Sequence, residues 1–164
     1  VGMLATVMNA IAIQSELRKI GVDCRVQSAI DIEKIAEPYI RFRAIRHLEK
    51  GRVVIFGAGT GNPYFSTDTG VVLRAIEVDA DVILLAKAID GVYDSDPNKN
   101  PNAKKFTEIP MKDVVDKQLG IMDLASAVLC MENKVPMIVF SLNEEDSIIS
   151  AANGNSTGTI ISVE

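Results

Sequence analysis

The chain has one histidine, two widely separated cysteines, no excess of positive charge and no long apolar run, and each shortage removes a class of function. Binding along a nucleic-acid backbone needs clustered Lys and Arg. With 17 Lys and Arg against 22 Asp and Glu, and a formal charge of −5, no broad nucleic-acid surface is expected, while free nucleotides stay open. Cys24 and Cys130 match no metal-ligand spacing, and Cys130 falls on an apolar helix face. Reduced, buried thiols of a cytoplasmic protein are therefore expected rather than a disulfide. His47 lies on a basic helical stretch with no acid and nucleophile partner recognisable in sequence, which argues against a Ser-His-Asp hydrolase. No apolar stretch approaches the roughly 20 residues of a membrane span. The apolar start has no basic leader and is interrupted by Thr6, Asn9 and Gln14, unlike a signal peptide. A Walker A lysine motif, an internal repeat and a low-complexity tract are also missing.

What is present is a balance of 48% apolar and 24% charged residues over 164 positions, suited to a single globular domain spanning 1–164 with a sizeable core. Leu4, Val7, Met8, Ile11, Leu17 and Ile20 recur at helical spacing, which predicts a core helix. The chain enters it from a Val with no capping segment before it, which suggests a truncated chain. Gly21 supplies the stop, and Val22, Cys24 and Val26 then alternate with polar residues as in a half-buried strand. Pro38 interrupts the polar stretch that follows, and residues 40–50 carry Ala44, Ile45 and Leu48 on one helical side with arginines largely opposite.

Residues 52–56 and 81–86 are near-continuous apolar runs, the pattern of parallel strands covered on both faces. Between them, residues 69–78 place Val72, Leu73 and Ile76 at helical spacing, so a βαβ unit with two adjacent parallel strands is expected. Residues 94–105 read as a long surface loop. Helices are expected at 111–118, 124–133 and 146–152, and strands at 137–140 and 159–163. Strand and helix alternate throughout, which favours an α/β sandwich with a mostly parallel sheet.

The stretch Gly57-Ala58-Gly59-Thr60-Gly61-Asn62-Pro63-Tyr64-Phe65-Ser66-Thr67-Asp68 lies between a strand and a helix, where open α/β sheets bind ligands. Its glycines allow a close backbone approach. Ser66 and Thr67 offer hydroxyls just before a helix whose free N–H groups favour an anion, so a phosphate fits. Tyr64 and Phe65 offer stacking surface to a base. The plain alternative is a tight connection in which Thr67 or Asp68 caps the helix and the aromatics are core. A dinucleotide fingerprint is disfavoured, because Asn62-Pro63 and further residues separate the glycines from the helix, and Asp79 and Asp81 precede the second strand instead of ending it.

Lys87 ends the next strand and is placed to meet a phosphate, and Tyr93 to pack on a purine. The alternative there is a turn at Asp90-Gly91 with a solvated lysine. Asp94, Asp96 and Asn98 imitate a calcium loop, but Lys99 and Lys105 replace the required glycine and glutamate, so that site is rejected and no protein metal site is expected. Asp123 opens a helix, where capping is the structural explanation.

Taken together, Thr60 to Asp68, the Asp90-Gly91-Val92-Tyr93 to Asp96-Pro97 segment and Met122-Asp123-Leu124-Ala125 resemble the bacterial UMP kinases of the amino acid kinase family. Gly2-Met3-Leu4-Ala5-Thr6 and Arg43-Ala44-Ile45-Arg46 resemble the same family, so the likeness covers the whole chain in order. The resemblance implies a three-layer αβα sandwich with a mostly parallel sheet, from which the N-terminal strands are missing. It implies UMP contacts at Thr60, Gly61, Asn62, Pro63, Tyr64, Phe65, Ser66 and Thr67, and ATP contacts at Lys87, Tyr93 and Asp96. Asp68 and Asp123 fall at the family's acidic active-site positions, where they would organise lysines and the Mg2+ that accompanies ATP. Lys87-Ala88 and Gly70 depart from many members, and the Gly70 departure is expected to loosen the start of its helix.

A homo-hexamer and regulation by GTP and UTP are further implications of the resemblance. The family's phosphate-binding lysine, its glycine-rich loop with an arginine and its ribose-binding aspartate are not among these residues. A noncatalytic fragment that keeps part of a nucleotide surface is therefore the alternative to an active UMP kinase.

Overall fold

A computed structural model of the chain describes residues 1–155 and 157–163. The chain, read from its sequence as one domain, divides into two compact units, Val1–Val78 and Asp79–Glu164.

The first unit runs α1 (Gly2–Lys19), β1 (Cys24–Ser28), β2 (Glu37–Pro38), α2 (Arg41–Glu49), β3 (Val53–Gly57) and α3 (Thr67–Glu77). Its three strands lie in the order β2-β1-β3, all parallel, with β1 and β3 registered from Cys24 against Val53 to Ser28 against Gly57. Helix α1 covers this sheet through Val7 and Ala10, and Ala10, Val26 and Ala36 form a core cluster with Ile55 packed against it. The expected core helix is therefore buried along one narrow face only, since Leu4, Met8, Ile13 and Ile20 are exposed. Apolar side chains are spread around most of this helix, so their spacing shows a helix without marking the face it buries.

His47 is buried on α2 with its Nε2 3.0 Å from Glu37 Oε2 and its Nδ1 3.1 Å from Arg52 Nη1. Arginine only donates, so Nδ1 accepts and Nε2 carries the proton toward Glu37. The histidine thus ties α2 to β2 and to the start of the β3 strand segment.

The second unit runs β4 (Ile83–Lys87), β5 (Glu108–Pro110), α4 (Met111–Asp116), α5 (Leu124–Asn133), β6 (Met137–Ser141), α6 (Ser147–Ala152) and β7 (Thr159–Ser162). The strand order is β4-β6-β7-β5, in which β4 pairs parallel with β6, β5 parallel with β7, and β6 antiparallel with β7. Met111, Met137, Val139, Ile161 and Cys130 are buried there. One parallel sheet and one mixed, mostly parallel sheet, with helices beside them, give the α/β class expected.

The expected β3-to-β4 pairing does not occur among the described residues: β3 bonds to β1 and β4 to β6, in different sheets. Nor is β4 covered on both faces. Strand β4 alternates buried Ile83 and Leu85 with exposed Leu84, and β3 starts at an exposed Val53. Apolar runs of this length fit one-sided strands equally well.

Both cysteines are free thiols and fully buried, Cys24 in the first unit and Cys130 in the second. Burial pushes the Cys130 thiol up to about 11. Among the described residues no helix is long and apolar enough to cross a membrane, and no group of three or more His, Cys, Asp or Glu is placed to hold a metal ion.

Candidate functional site

In the first unit, the segment between β3 and α3 borders a cavity of about 390 Å³ lined by Thr60, Asn62, Pro63, Phe65, Ser66 and Thr67, together with Val1 to Met3, Thr6, Ala58 and Gly59. Six of the eight residues assigned to UMP line it. Gly61 turns away at φ +77, where an added Cβ would sit 2.6 Å from the Ala29 carbonyl oxygen, so only glycine fits. Tyr64 stands fully in solvent at φ +70, and Phe65 is 58% exposed, which removes the reading of these aromatics as core.

The loop is fixed from beneath. Ala58, buried and at φ +68, donates its N–H to the Thr6 hydroxyl of α1 at 2.9 Å. Thr6, read from sequence as a polar interruption of an apolar helix, therefore supports the loop.

The cap of α3 is Ser66, not Thr67 or Asp68: its Oγ accepts the Thr69 N–H at 3.1 Å. Thr67 is the first helical residue, at the positive end of an eleven-residue helix and on the cavity wall. Asp68 follows in the first turn and does not line the cavity. Gly70 lies in the first turn, where its N–H donates to the Ser66 carbonyl at 3.2 Å. A Cβ there would lie 3.2 Å from Gly59 Cα, so its bare backbone lets α3 press against the loop.

In the second unit, Tyr93 and Asp96 come together on a cavity of about 480 Å³, whose opposite wall is residues 117–121. The Tyr93 hydroxyl donates to Asp90 Oδ1 at 2.8 Å, and Lys105 Nζ donates to Asp90 Oδ2 at 2.9 Å. Burial works to raise the Asp90 carboxyl, but the hydrogen bonds from Lys105 and Tyr93 hold it below its ordinary value. The same contact raises the Tyr93 phenol. Gly91 is required by contact, because a Cβ would lie 2.6 Å from Thr159 Oγ1, the group that accepts the buried Val92 N–H.

Loop 94–105 is closed at its base by the Tyr93–Lys105 bridge and by Asp94 N–H to the Lys104 carbonyl at 3.0 Å. Its Asp94 and Asp96 carboxylates accept backbone N–H groups of Lys104 and Asn98 within the loop. Lys87 ends β4 and is not on the cavity wall. Asp123 caps α5, its two oxygens accepting from the Ser126 N–H at 2.9 Å and hydroxyl at 2.8 Å. Its neighbours Met122 and Leu124 line a separate apolar cavity of about 340 Å³. Asp90 was singled out in sequence only as part of a turn and of the family-like segment, and neither its hold on Tyr93 nor the part played by Lys105 and residues 117–119 had a local signal.

Residues 1–141 match the amino acid kinase family, and the chain belongs to that family of phosphotransferases. Among solved structures it is similar over 99% of its length to the UMP kinase of Bacillus anthracis, at 38% identity and a TM-score of 0.95, covering 68% of that chain. It is similar over 98% of its length to the UMP kinase of Ureaplasma parvum, at 36% identity and a TM-score of 0.93, again covering 68% of that chain. The uridylate kinase of Archaeoglobus fulgidus gives 28% identity and a TM-score of 0.74, with 98% of this chain and 70% of that one covered.

Proposed function

We propose that this kinase transfers the γ-phosphoryl group of ATP to UMP, giving UDP and ADP for pyrimidine nucleotide synthesis in the cytoplasm. The observation that carries the reading is the Thr60 to Thr67 loop. It rims a cavity at the N-terminus of α3 and exposes an aromatic side chain, Phe65, on the cavity wall. The N–H groups of the first turn and the Thr67 hydroxyl suit the UMP phosphate, and Phe65 suits its base. The likeness to three solved UMP or uridylate kinases supports the choice of acceptor.

On the donor side, Tyr93 would pack on the purine, Asp96 contact the nucleotide and Lys87 meet a phosphate. Asp68 and Asp123 are assigned to organising the charges around the transferring group, since such catalysis rests on positioning and electrostatics. No covalent enzyme intermediate is required. The resemblance implies Mg2+ entering with ATP, where it would neutralise phosphate charge. The described residues form no three-ligand cluster for it, so they do not make an ion site by themselves and no step is assigned to it. A homo-hexamer and control by GTP and UTP belong to the same proposal.

The test is a coupled assay on the full-length protein with ATP and a panel of acceptors. UMP is expected to be the preferred acceptor, and transfer to aspartate, glutamate or carbamate without UMP would reject the reading. The family's donor-side lysine and glycine-rich loop are not among these 164 residues, so the same assay on the 164 residues alone is expected to show no turnover.

A further inference from the structure

Arg74 is a charged residue that the fold buries, leaving it 8% exposed on α3. A guanidinium taken out of water must have its donors answered. Nη1 donates to Glu77 Oε2 at 2.5 Å, Nη2 donates to the Gly59 carbonyl at 3.2 Å, and Cζ lies 3.7 Å from the centroid of the Tyr39 ring. Glu77 Oε2 also accepts the Tyr39 hydroxyl at 2.5 Å, and the Glu77 carbonyl accepts from Arg41 Nε. The guanidinium is thus held by Glu77 and Tyr39, and its remaining reach goes to one loop carbonyl, that of Gly59.

That carbonyl begins the Gly59–Thr60 peptide, and both residues line the 390 Å³ cavity. Gly59 sits at φ +58 and has no side chain, so its backbone tolerates either orientation of the peptide that follows. In a trans peptide the C=O and the next N–H point in opposite directions. Holding the Gly59 oxygen toward Arg74 therefore turns the Thr60 N–H away from α3. Gly70, one turn before Arg74 on the same face, allows the close approach that brings the carbonyl within reach.

We propose that Arg74, braced by Tyr39 and Glu77, is a positioning residue for the acceptor nucleotide, fixing the Gly59–Thr60 peptide with its N–H presented to the bound ligand. This rests on the reading that the loop binds UMP, and it adds a residue outside the loop that sets the loop's donor geometry. If the buried arginine served only stability, replacing it would lower the unfolding temperature of the empty protein and leave the affinity of the folded protein unchanged.

The experiment uses the full-length protein and its Arg74→Lys, Tyr39→Phe and Thr67→Ala variants. UMP and ATP affinities are measured separately by titration calorimetry, with kinetics and thermal unfolding alongside. Arg74→Lys keeps the charge but lacks the fork that spans Glu77 and Gly59. It is expected to weaken UMP by about tenfold, the scale of one charged hydrogen bond, with ATP affinity unchanged. Tyr39→Phe is expected to weaken UMP in the same direction by a smaller factor. If Thr67→Ala weakens UMP while folded Arg74→Lys and Tyr39→Phe bind it as wild type does, the positioning role is overturned and the loop reading stands. If Thr67→Ala leaves UMP binding unchanged, the loop reading itself fails. Should Arg74→Lys not fold, Tyr39→Phe decides: a UMP-selective loss supports the proposal, and a stability loss with unchanged UMP binding overturns it.

Discussion

The Thr6 hydroxyl on α1 accepts the backbone N–H of Ala58 at 2.9 Å while donating to the Met3 carbonyl at 2.7 Å. A helix side chain thereby satisfies a buried donor in a loop 52 residues away. Replacing it with the isosteric Thr6→Val leaves the Ala58 N–H without an acceptor in an apolar setting, at a cost of about 1–3 kcal/mol. Thr6→Ser keeps the acceptor and is expected to retain most of the stability. Urea unfolding of the two variants of the full-length protein, compared with wild type, measures the difference.

The proposed function gives three consecutive residues at the start of α3 three different roles, of which the Ser66 cap is seen directly. Ser66→Ala removes the cap and is expected to cost about 1 kcal/mol of stability. Thr67→Ala is expected to raise KM for UMP by about tenfold, as loss of one hydrogen bond to a charged phosphate would. Asp68→Asn is expected to lower kcat on the order of a hundredfold with UMP affinity kept, the scale of lost electrostatic stabilisation. Steady-state kinetics with thermal unfolding of each variant checks the division. Wild-type UMP binding in folded Thr67→Ala would refute the loop as the acceptor site, and wild-type turnover in folded Asp68→Asn as well would refute the whole site.

Tyr39 gives a signature at alkaline pH. Burial first, and then its hydrogen bond to Glu77, push the phenol up from 10.0 to about 12. The neutral form is the one the folded state favours. The contribution to stability is therefore complete below pH 10 and is lost as pH rises toward 12. Stability curves of wild type and Tyr39→Phe should converge across that window, and ultraviolet titration should show the tyrosine that ionises at about 12 in wild type missing from the variant, with the raised Tyr93 phenol present in both.

Asp90 gives the opposite signature. Burial raises its carboxyl, but the Lys105 and Tyr93 hydrogen bonds outweigh this and hold it below the ordinary 3.8. The charged form is favoured on folding, so its stabilisation is present above pH 3.8 and is lost as pH falls through the lowered value. Asp90→Asn should flatten the acid limb of the stability profile. It should also free the Tyr93 ring and raise KM for ATP by roughly threefold to tenfold while leaving UMP unaffected. Equal changes in both KM values would show a general loss of structure instead.

Much of this was legible in the residues. The helix of Leu124 to Asn133 was placed to the residue, because Asp123 caps it and a period of 3.6 follows. The Thr60 to Asp68 segment stood out because three glycines, a proline and two aromatics before a helix leave few structural explanations. Strands β2 and β5 escaped, since two or three residues carry no period to read. Strand pairing was misjudged because the right-handed crossover rule says how a parallel pair connects, and it does not say which strands pair. The bonds of Arg74 to Gly59, Lys105 to Asp90 and Ala58 to Thr6 span 15 or more residues in sequence, and no local pattern announces them.

The two cysteines have a use that their chemistry alone would not suggest. Each compact unit holds one thiol, and both are shut from solvent in the folded chain. A thiol-directed alkylating reagent therefore reads out opening without any engineered label, with Cys24 as the clock of the first unit and Cys130 as that of the second. Peptide mapping after a timed pulse would rank the two halves by how often each exposes its interior. If the proposed function holds, UMP added during the pulse is expected to slow the first clock and ATP the second, and the opposite pattern would count against that assignment of the two nucleotides.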